Sequence, residues 1–142
     1  MRTTDELTTT MRDRGLRVTA QRMCIVAHLV ENATHPTVEA LYEAARVEMP
    51  TISLKTVYQT VHDLEGLGEV RLLDLGTGQV RVDPNVEHAH HHLVCNGCGR
   101  VCDVAVDFPG LTLARRDRLG FTIDEVEVIF RGSCDQCQTV LS

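Results

Sequence analysis

Two Cys-x-x-Cys pairs, Cys95-Asn96-Gly97-Cys98 and Cys134-Asp135-Gln136-Cys137, constrain this chain more than any other feature. A two-residue gap lets both thiolates of a pair reach one cation. Two such pairs brought together give four sulfurs in a tetrahedron, the arrangement zinc prefers in a closed structural site. The intervening residues 99–133 are long enough for a strand, a helix and a return strand. Disulfides are the rival reading, since six cysteines could form three bridges in a secreted chain. The opening residues "MRTTDELTTTMRDRG" are polar and partly acidic, with no apolar signal region, so a cytoplasmic protein is expected. No run approaches the ~20 apolar residues of a membrane span. A thioredoxin-like redox site would need only one pair, at a strand-to-helix turn. The remaining cysteines, Cys24 and Cys102, read as small buried hydrophobes.

Four of the seven histidines lie just ahead of the first pair, in "HAHHHLVCNGC" (88–98). Residues 88–95 read as extended, and side chains on a strand alternate faces. His88, His90 and His92 then share one face, whereas His91, Leu93 and Cys95 share the other. A strand of this kind can serve two metals, one on each side. The segment "VCDVAVDF" (101–108) also alternates. Cys102, Val104, Val106 and Phe108 form a core-facing set, and Asp103 faces the other way with Ala105 and Asp107. If residues 91–95 and 101–105 pair as a hairpin around "NGCGR", Asp103 approaches the His90/His92 face.

The N-terminal half follows a helical period. "TAQRMCIVAHLVEN" (19–32) starts at Thr19 as N-cap, with Met23, Ile25, Val26, Leu29 and Val30 on one apolar face. "HPTVEALYEAARVEMP" (35–50) opens on Pro-Thr, repeats Val38, Leu41, Tyr42 and Ala45 at helical spacing, and stops at Pro50. "SLKTVYQTVHDLEGLG" (53–68) starts at Ser53 and turns Val57, Val61, Leu64 and Leu67 inward, leaving Lys55, Thr56, Gln59 and Thr60 outside. "EVRLLDLGTGQVRVD" (69–83) reads as strand, Gly-Thr-Gly turn, strand. His28 and His62 read as ordinary helix residues. The fold class reads as α+β with two domains: a winged helix-turn-helix over 1–83 and, as the family resemblance named below implies, a hinge at 84–88 and a metal-binding and dimerisation domain over 89–142.

In a winged helix the last helix enters the DNA major groove and the hairpin touches the backbone or minor groove. The outer face of 53–68 suits that use. Lys55 fits a phosphate or guanine, Thr56 and Thr60 fit phosphates, Gln59 a base edge, and Tyr58 a phosphate or thymine methyl. The formal net charge is −6, but residues 1–22 hold five Arg against three acids, a local balance of +2 that includes Arg17 and Arg22. A basic end on an acidic protein can still meet phosphates. A zinc hydrolase or deaminase is the competing class. The sequence lacks His-x-x-x-His with a neighbouring Glu, and lacks His-x-Glu with Pro-Cys-x-x-Cys, so no catalytic residue is assigned.

Taken together, "GLRVTAQR" (15–22), "HPTVEALY" (35–42), "SLKTVYQTVHDLEGLGEV" (53–70), "HHHLVCNGCG" (90–99) with Asp103 following, and "CDQC" (134–137) resemble the ferric uptake regulator family. The resemblance implies a homodimeric, metal-dependent repressor that binds a double-stranded DNA operator. It implies structural Zn2+ on Cys95, Cys98, Cys134 and Cys137. It implies a regulatory Fe2+ or Mn2+ site of His35, Asp83, His90, His92 and Asp103 that bridges the two domains, with Glu87 or His88 as possible substitutes for Asp83. Glu127 stands where many iron-uptake members carry a histidine of an additional metal site. Asp103, where iron-uptake members typically have Glu, and the ending "DEVEVIF" resemble the peroxide-sensing, catalase-gene branch. That branch implies oxidation of a ligand histidine, His35 or His90, as the signal. An iron-responsive repressor of uptake genes, or a zinc- or nickel-responsive one, is the alternative.

Overall fold

Thr3, Thr19, Thr37 and Ser53 set the starts of four helices in the computed structural model, which describes residues 1–138. The helices are α1 (Thr4–Asp13), α2 (Ala20–Leu29), α3 (Val38–Glu48) and α4 (Leu54–Gly66). Each hydroxyl accepts from the backbone N–H three residues on, at Glu6, Arg22, Ala40 and Thr56. Each cap thus satisfies a donor that a first helical turn cannot satisfy itself. The sequence pattern predicted the last three helices but not α1. Its only buried residues are Leu7 and Met11, too few to show a periodicity. The signal that was present is local. Thr3 and Glu6 form a reciprocal capping box, with the Thr3 N–H donating to Glu6 Oε2 at 2.9 Å.

Leu7 and Met11 join Ile25, Val26, Leu29, Leu41, Ala45, Val57, Val61 and Leu64 in one core. Thr60, expected on the outer face, belongs to this buried side. Its hydroxyl donates to the Thr56 carbonyl at 2.7 Å, which satisfies the polar atom inside its own helix.

Strands β1 (Arg71–Asp74) and β2 (Val80–Asp83) follow as an antiparallel hairpin with Arg71 opposite Asp83. The turn uses Gly76 and Gly78 at φ of 70° and 84°, where a Cβ is strained. Helices α2 to α4 and this hairpin make a winged helix-turn-helix. The wing also reaches back. The Val82 N–H donates to the Pro36 carbonyl at 2.8 Å, and Arg81 Nη1 donates to the His35 carbonyl at 3.2 Å. This tie brings the end of β2 to the start of α3.

The chain divides into two units, Met1–His88 and Ala89–Ser142. Residues 84–88, read from sequence as a hinge, fall within the first unit, where the Met1 ammonium donates to the Pro84 carbonyl at 2.9 Å and lies 3.5 Å from Glu87.

In the second unit β3 (His91–Cys95) is the central strand. β4 (Val101–Val104) pairs with it antiparallel and β5 (Ile129–Gly132) pairs parallel, followed by the short helix α5 (Asp135–Gln138). The β3–β4 hairpin is the one the alternation predicted, and His92 lies opposite Asp103. Several expectations fail around it. The regular strand begins only at His91, so His88 is not on it. β4 stops at Val104, so the alternation does not continue to Val106 and Phe108, which are exposed. Cys102 is half-buried. No return helix forms between β4 and β5 among the described residues, only a 3₁₀ turn at Arg115–Arg118. Leu111, Leu113, Leu119, Phe121, Ile123 and Val126 are all exposed on this segment. Among the described residues no helix is long and apolar enough to cross a membrane.

Leu7 is fully buried, so α1 contributes to the core of the first unit despite its polar composition. Leu7→Ala should lower that unit's unfolding free energy by about 2–5 kcal/mol, as other buried leucines do on truncation. Denaturant unfolding of the variant is the measurement. An unchanged midpoint would show α1 to be dispensable.

Candidate metal centres and nucleic-acid interface

Cys95 ends β3, Cys98 lies in the turn after it, and Cys134 and Cys137 bracket the start of α5. Their four sulfurs lie within 4.8 Å of one another. The backbone N–H of Cys134 donates to Cys95 Sγ at 3.3 Å. Such amide donors, from Cys134 and then Cys98, pull the Cys95 thiol down to about 6. Cys137 is pushed up to about 12, first by its hydrogen bond with Cys95 and then by those with Cys134 and Cys98. Sulfurs this crowded cannot all ionise unless a cation lies among them. The cradle is also shaped by Gly97, where an added Cβ would lie 2.8 Å from Cys137 Sγ. Four thiolates at this spacing are the donor set of a closed zinc site.

The predicted N/O donors fall into one group in each unit. In the first, His35 and Asp83 are both 1% exposed, and His35 Nε2 stands 3.6 Å from Asp83 Oδ1. That is too long for a hydrogen bond but close to the spacing of two ligands on one cation. His35 Nδ1 lies 3.2 Å from the Ala33 carbonyl, an acceptor that fixes the proton on Nδ1 and leaves the Nε2 lone pair for a metal. His35 holds φ of 50° ahead of Pro36, an unusual conformation for a non-glycine residue. Glu87 and His88, the possible substitutes for Asp83, are both exposed.

In the second unit Asp103 Oδ1 lies 3.5 Å from His90 Nε2 and 3.7 Å from His92 Nε2. The two rings meet edge to face with centroids 4.8 Å apart. His92 Nδ1 contacts Glu127 Oε1 at 2.6 Å. Glu127 therefore sets the His92 tautomer and turns Nε2 toward Asp103, the usual role of a carboxylate behind a metal-binding histidine. From sequence, Glu127 reads only as a departure at another metal site. Its role depends on the parallel pairing of β5 with β3, which no local pattern reveals.

On the first unit, Arg17, Arg22, Lys55, Thr56 and Gln59 surround one hollow. Tyr58 lines a neighbouring one with Lys55, Gln59 and the wing residues Gly78, Gln79 and Val80. The six predicted DNA contacts differ in their engagement. Arg22 is ion-paired with Asp63 at 2.5 Å and donates to the Arg17 carbonyl, so it braces α2 against α4. Gln59 Nε2 donates to Asp63 Oδ1 at 2.9 Å. Tyr58 donates to Glu39 at 2.6 Å. That bond holds the Glu39 carboxyl below its usual range and the Tyr58 phenol above it.

The model of the ferric uptake regulator family matches residues 13–130. The chain belongs to the ferric uptake regulator family. It is 32% identical over 139 residues to the peroxide-responsive repressor PerR of Staphylococcus aureus, covering 94% of this chain and 90% of that one. Among solved structures, a zinc-bound manganese uptake regulator is 30% identical, with a TM-score of 0.73 over 94% of this chain and 99% of that one. Streptococcus pyogenes PerR, solved for peroxide sensing and gene regulation, is 25% identical, with a TM-score of 0.56 over 97% and 95%. A member of the ferric uptake regulator family is a metal-dependent, DNA-binding transcriptional regulator and not an enzyme.

The Gly97 contact allows the thiolate cradle of this family member to be tested without deleting a ligand. Gly97→Ala should force Cys137 to shift and speed zinc loss to a chelator. Zinc content after chelator challenge is the readout, and wild-type retention would refute the cradle.

Proposed function

We propose that this regulator is a peroxide-responsive repressor of oxidative-stress genes such as catalase. Its regulatory Fe2+ or Mn2+ is held by His35, Asp83, His90, His92 and Asp103, and its structural Zn2+ by Cys95, Cys98, Cys134 and Cys137. The observation that carries the reading is the chemistry of the first donor set: imidazoles and carboxylates with no sulfur, each histidine lying close to an aspartate. That set suits Fe(II) or Mn(II). Similarity to PerR of S. aureus supports the peroxide signal. Bound Fe(II) would supply the electrons that activate peroxide beside its ligands, whereas Mn(II) would fill the same donors without that chemistry. His35 or His90 would then gain one oxygen, a ring C–H becoming C–OH while the second peroxide oxygen leaves as water. The modified imidazole is a weaker nitrogen donor, so the metal is released and DNA affinity falls.

The apolar side chains exposed between β4 and β5 support a homodimer in which a second copy covers them. The double-stranded operator would be met by α4, with Lys55, Thr56, Tyr58 and Gln59 on its outer face and Arg17 and Arg22 beside it. A repressor of chromosomal genes acts in the cytoplasm.

The likeness to a manganese uptake regulator favours a second reading, in which metal level alone is sensed, be it iron, manganese, zinc or nickel. Peptide mass spectrometry after low peroxide separates the two. The peroxide reading expects one added oxygen on His35 or His90 with Fe(II) and none with Mn(II). Intact histidines and intact cysteines with both metals would favour the metal-level reading. Intact histidines with a Cys95–Cys98 disulfide and lost zinc would make the chain a thiol switch.

Lys55 is the one lysine at both hollows of the proposed DNA face. Lys55→Ala should reduce the slope of log affinity against log salt by ~1 if it neutralises one phosphate. Gln59→Ala should leave that slope alone and relax base preference. Salt titrations on operator and scrambled DNA measure both, and unchanged binding in both variants would mean that α4 does not read the operator.

A further inference from the structure

We propose that Cys24, His28 and Glu48 form a third metal site, on the winged-helix unit, for a thiophilic divalent cation such as zinc. Cys24 and His28 are four residues apart on α2 and therefore share a face of the helix. Glu48 is the last residue of α3, which packs alongside. One ligand atom from each residue lies within 4.8 Å of the other two. Cys24 and His28 were read from sequence as a core hydrophobe and an ordinary helix residue. Their partner Glu48 belongs to another helix, and only tertiary packing brings it to them.

The local chemistry is that of a ligand set. His28 Nε2 is shielded from solvent and lies 2.9 Å from Glu48 Oε1, yet it makes no hydrogen bond. The two atoms lie side by side instead of pointing at each other, as ligands of one ion do. Burial, and then the Glu48 charge, raise the Cys24 thiol above its ordinary range. A dication among the three reverses the second effect. Binding would release the thiol proton to solvent, and the thiolate and carboxylate would then balance the two positive charges. The neutral imidazole adds a third donor without charge. The Glu48 side chain is 64% exposed, which leaves a water-accessible fourth position. Sulfur, nitrogen and oxygen together favour zinc over magnesium, calcium or manganese. Occupancy would clamp the C-terminal turns of α2 and α3, the two helices behind α4.

Cobalt(II) distinguishes this site from the other two. The full-length protein is first loaded with one equivalent of zinc, which the four-cysteine cluster binds ahead of the three-donor site, and Co(II) is then titrated in. The His/Asp donors contain no sulfur, so a new thiolate-to-cobalt charge-transfer band must come from a cysteine outside the cluster. The expected result is such a band within the first two added equivalents, the other of which the His/Asp donors take, abolished by Cys24→Ser and retained in Cys102→Ser. Glu48→Gln, at an exposed side chain that folding does not need, should weaken cobalt affinity by roughly tenfold or more. No sulfur band in the wild type would overturn the proposal, as would a band that survives Cys24→Ser.

Discussion

The crowding of four cysteine sulfurs governs the second unit. Thiols within 4.8 Å of one another cannot all lose their protons without a cation among them, so the fold of this unit is coupled to metal. The coupling reaches beyond the cluster. Cys95 closes β3, and Cys134 and Cys137 follow β5 directly. A metal holding them fixes β5 parallel to β3, with Ile129 opposite His92. That register brings Glu127 to His92 Nδ1 and lets the Val128 N–H donate to His91 Nδ1 at 3.0 Å. The His92 orientation therefore depends on the β3–β5 register beside the sulfur site.

In the first unit, hydrogen bonds hold a candidate metal ligand in a strained conformation. His35 stands at φ of 50° immediately before a proline, a conformation that costs of order 1–3 kcal/mol at a non-glycine residue. It persists because three contacts surround it. Val82 donates to Pro36, Arg81 donates to the His35 carbonyl, and Ala33 accepts at His35 Nδ1. The wing that follows α4 is thus also the brace that sets a candidate metal ligand. Asp83, the last residue of β2, arrives beside His35 through this pairing.

Much of the architecture is legible in the sequence because it rests on local rules. Thr19, Thr37 and Ser53 announce their helices, and the two-residue alternation around His90 to Cys95 announces the hairpin with Asp103. What stays hidden is tertiary. Helix α1 has only Leu7 and Met11 to bury, so nothing periodic marks it. Thr60 reads as an outward polar residue because its hydroxyl is satisfied inside α4, by a bond that side-chain type alone does not reveal. The segment after Val104 has apolar residues at strand spacing and was read as core. Among the described residues only Phe108 of this segment packs on the sheet, against His91 and Phe130, and Val106 and the apolar residues beyond stay exposed. Glu127, Cys24 and Glu48 gain their significance from contacts between elements distant in sequence, where spacing carries no information.

The alternation of β3 bears on how sulfur and nitrogen donors coexist so close together. His92 and Cys95 are three residues apart, so a regular strand turns them to opposite faces. His92 faces Asp103, and Cys95 joins the cysteine cluster. An oxidant generated among imidazoles and carboxylates attacks the nearest oxidisable group, and on that face the nearest groups are the imidazoles. Thiolates are ordinarily the more easily oxidised donors. Here the strand turns them away, and a zinc ion would occupy their lone pairs. Under the proposed peroxide reading, a chain with both donor types on one face would expose its structural site to the same oxidant. The two-residue period of a single strand would keep those chemistries apart.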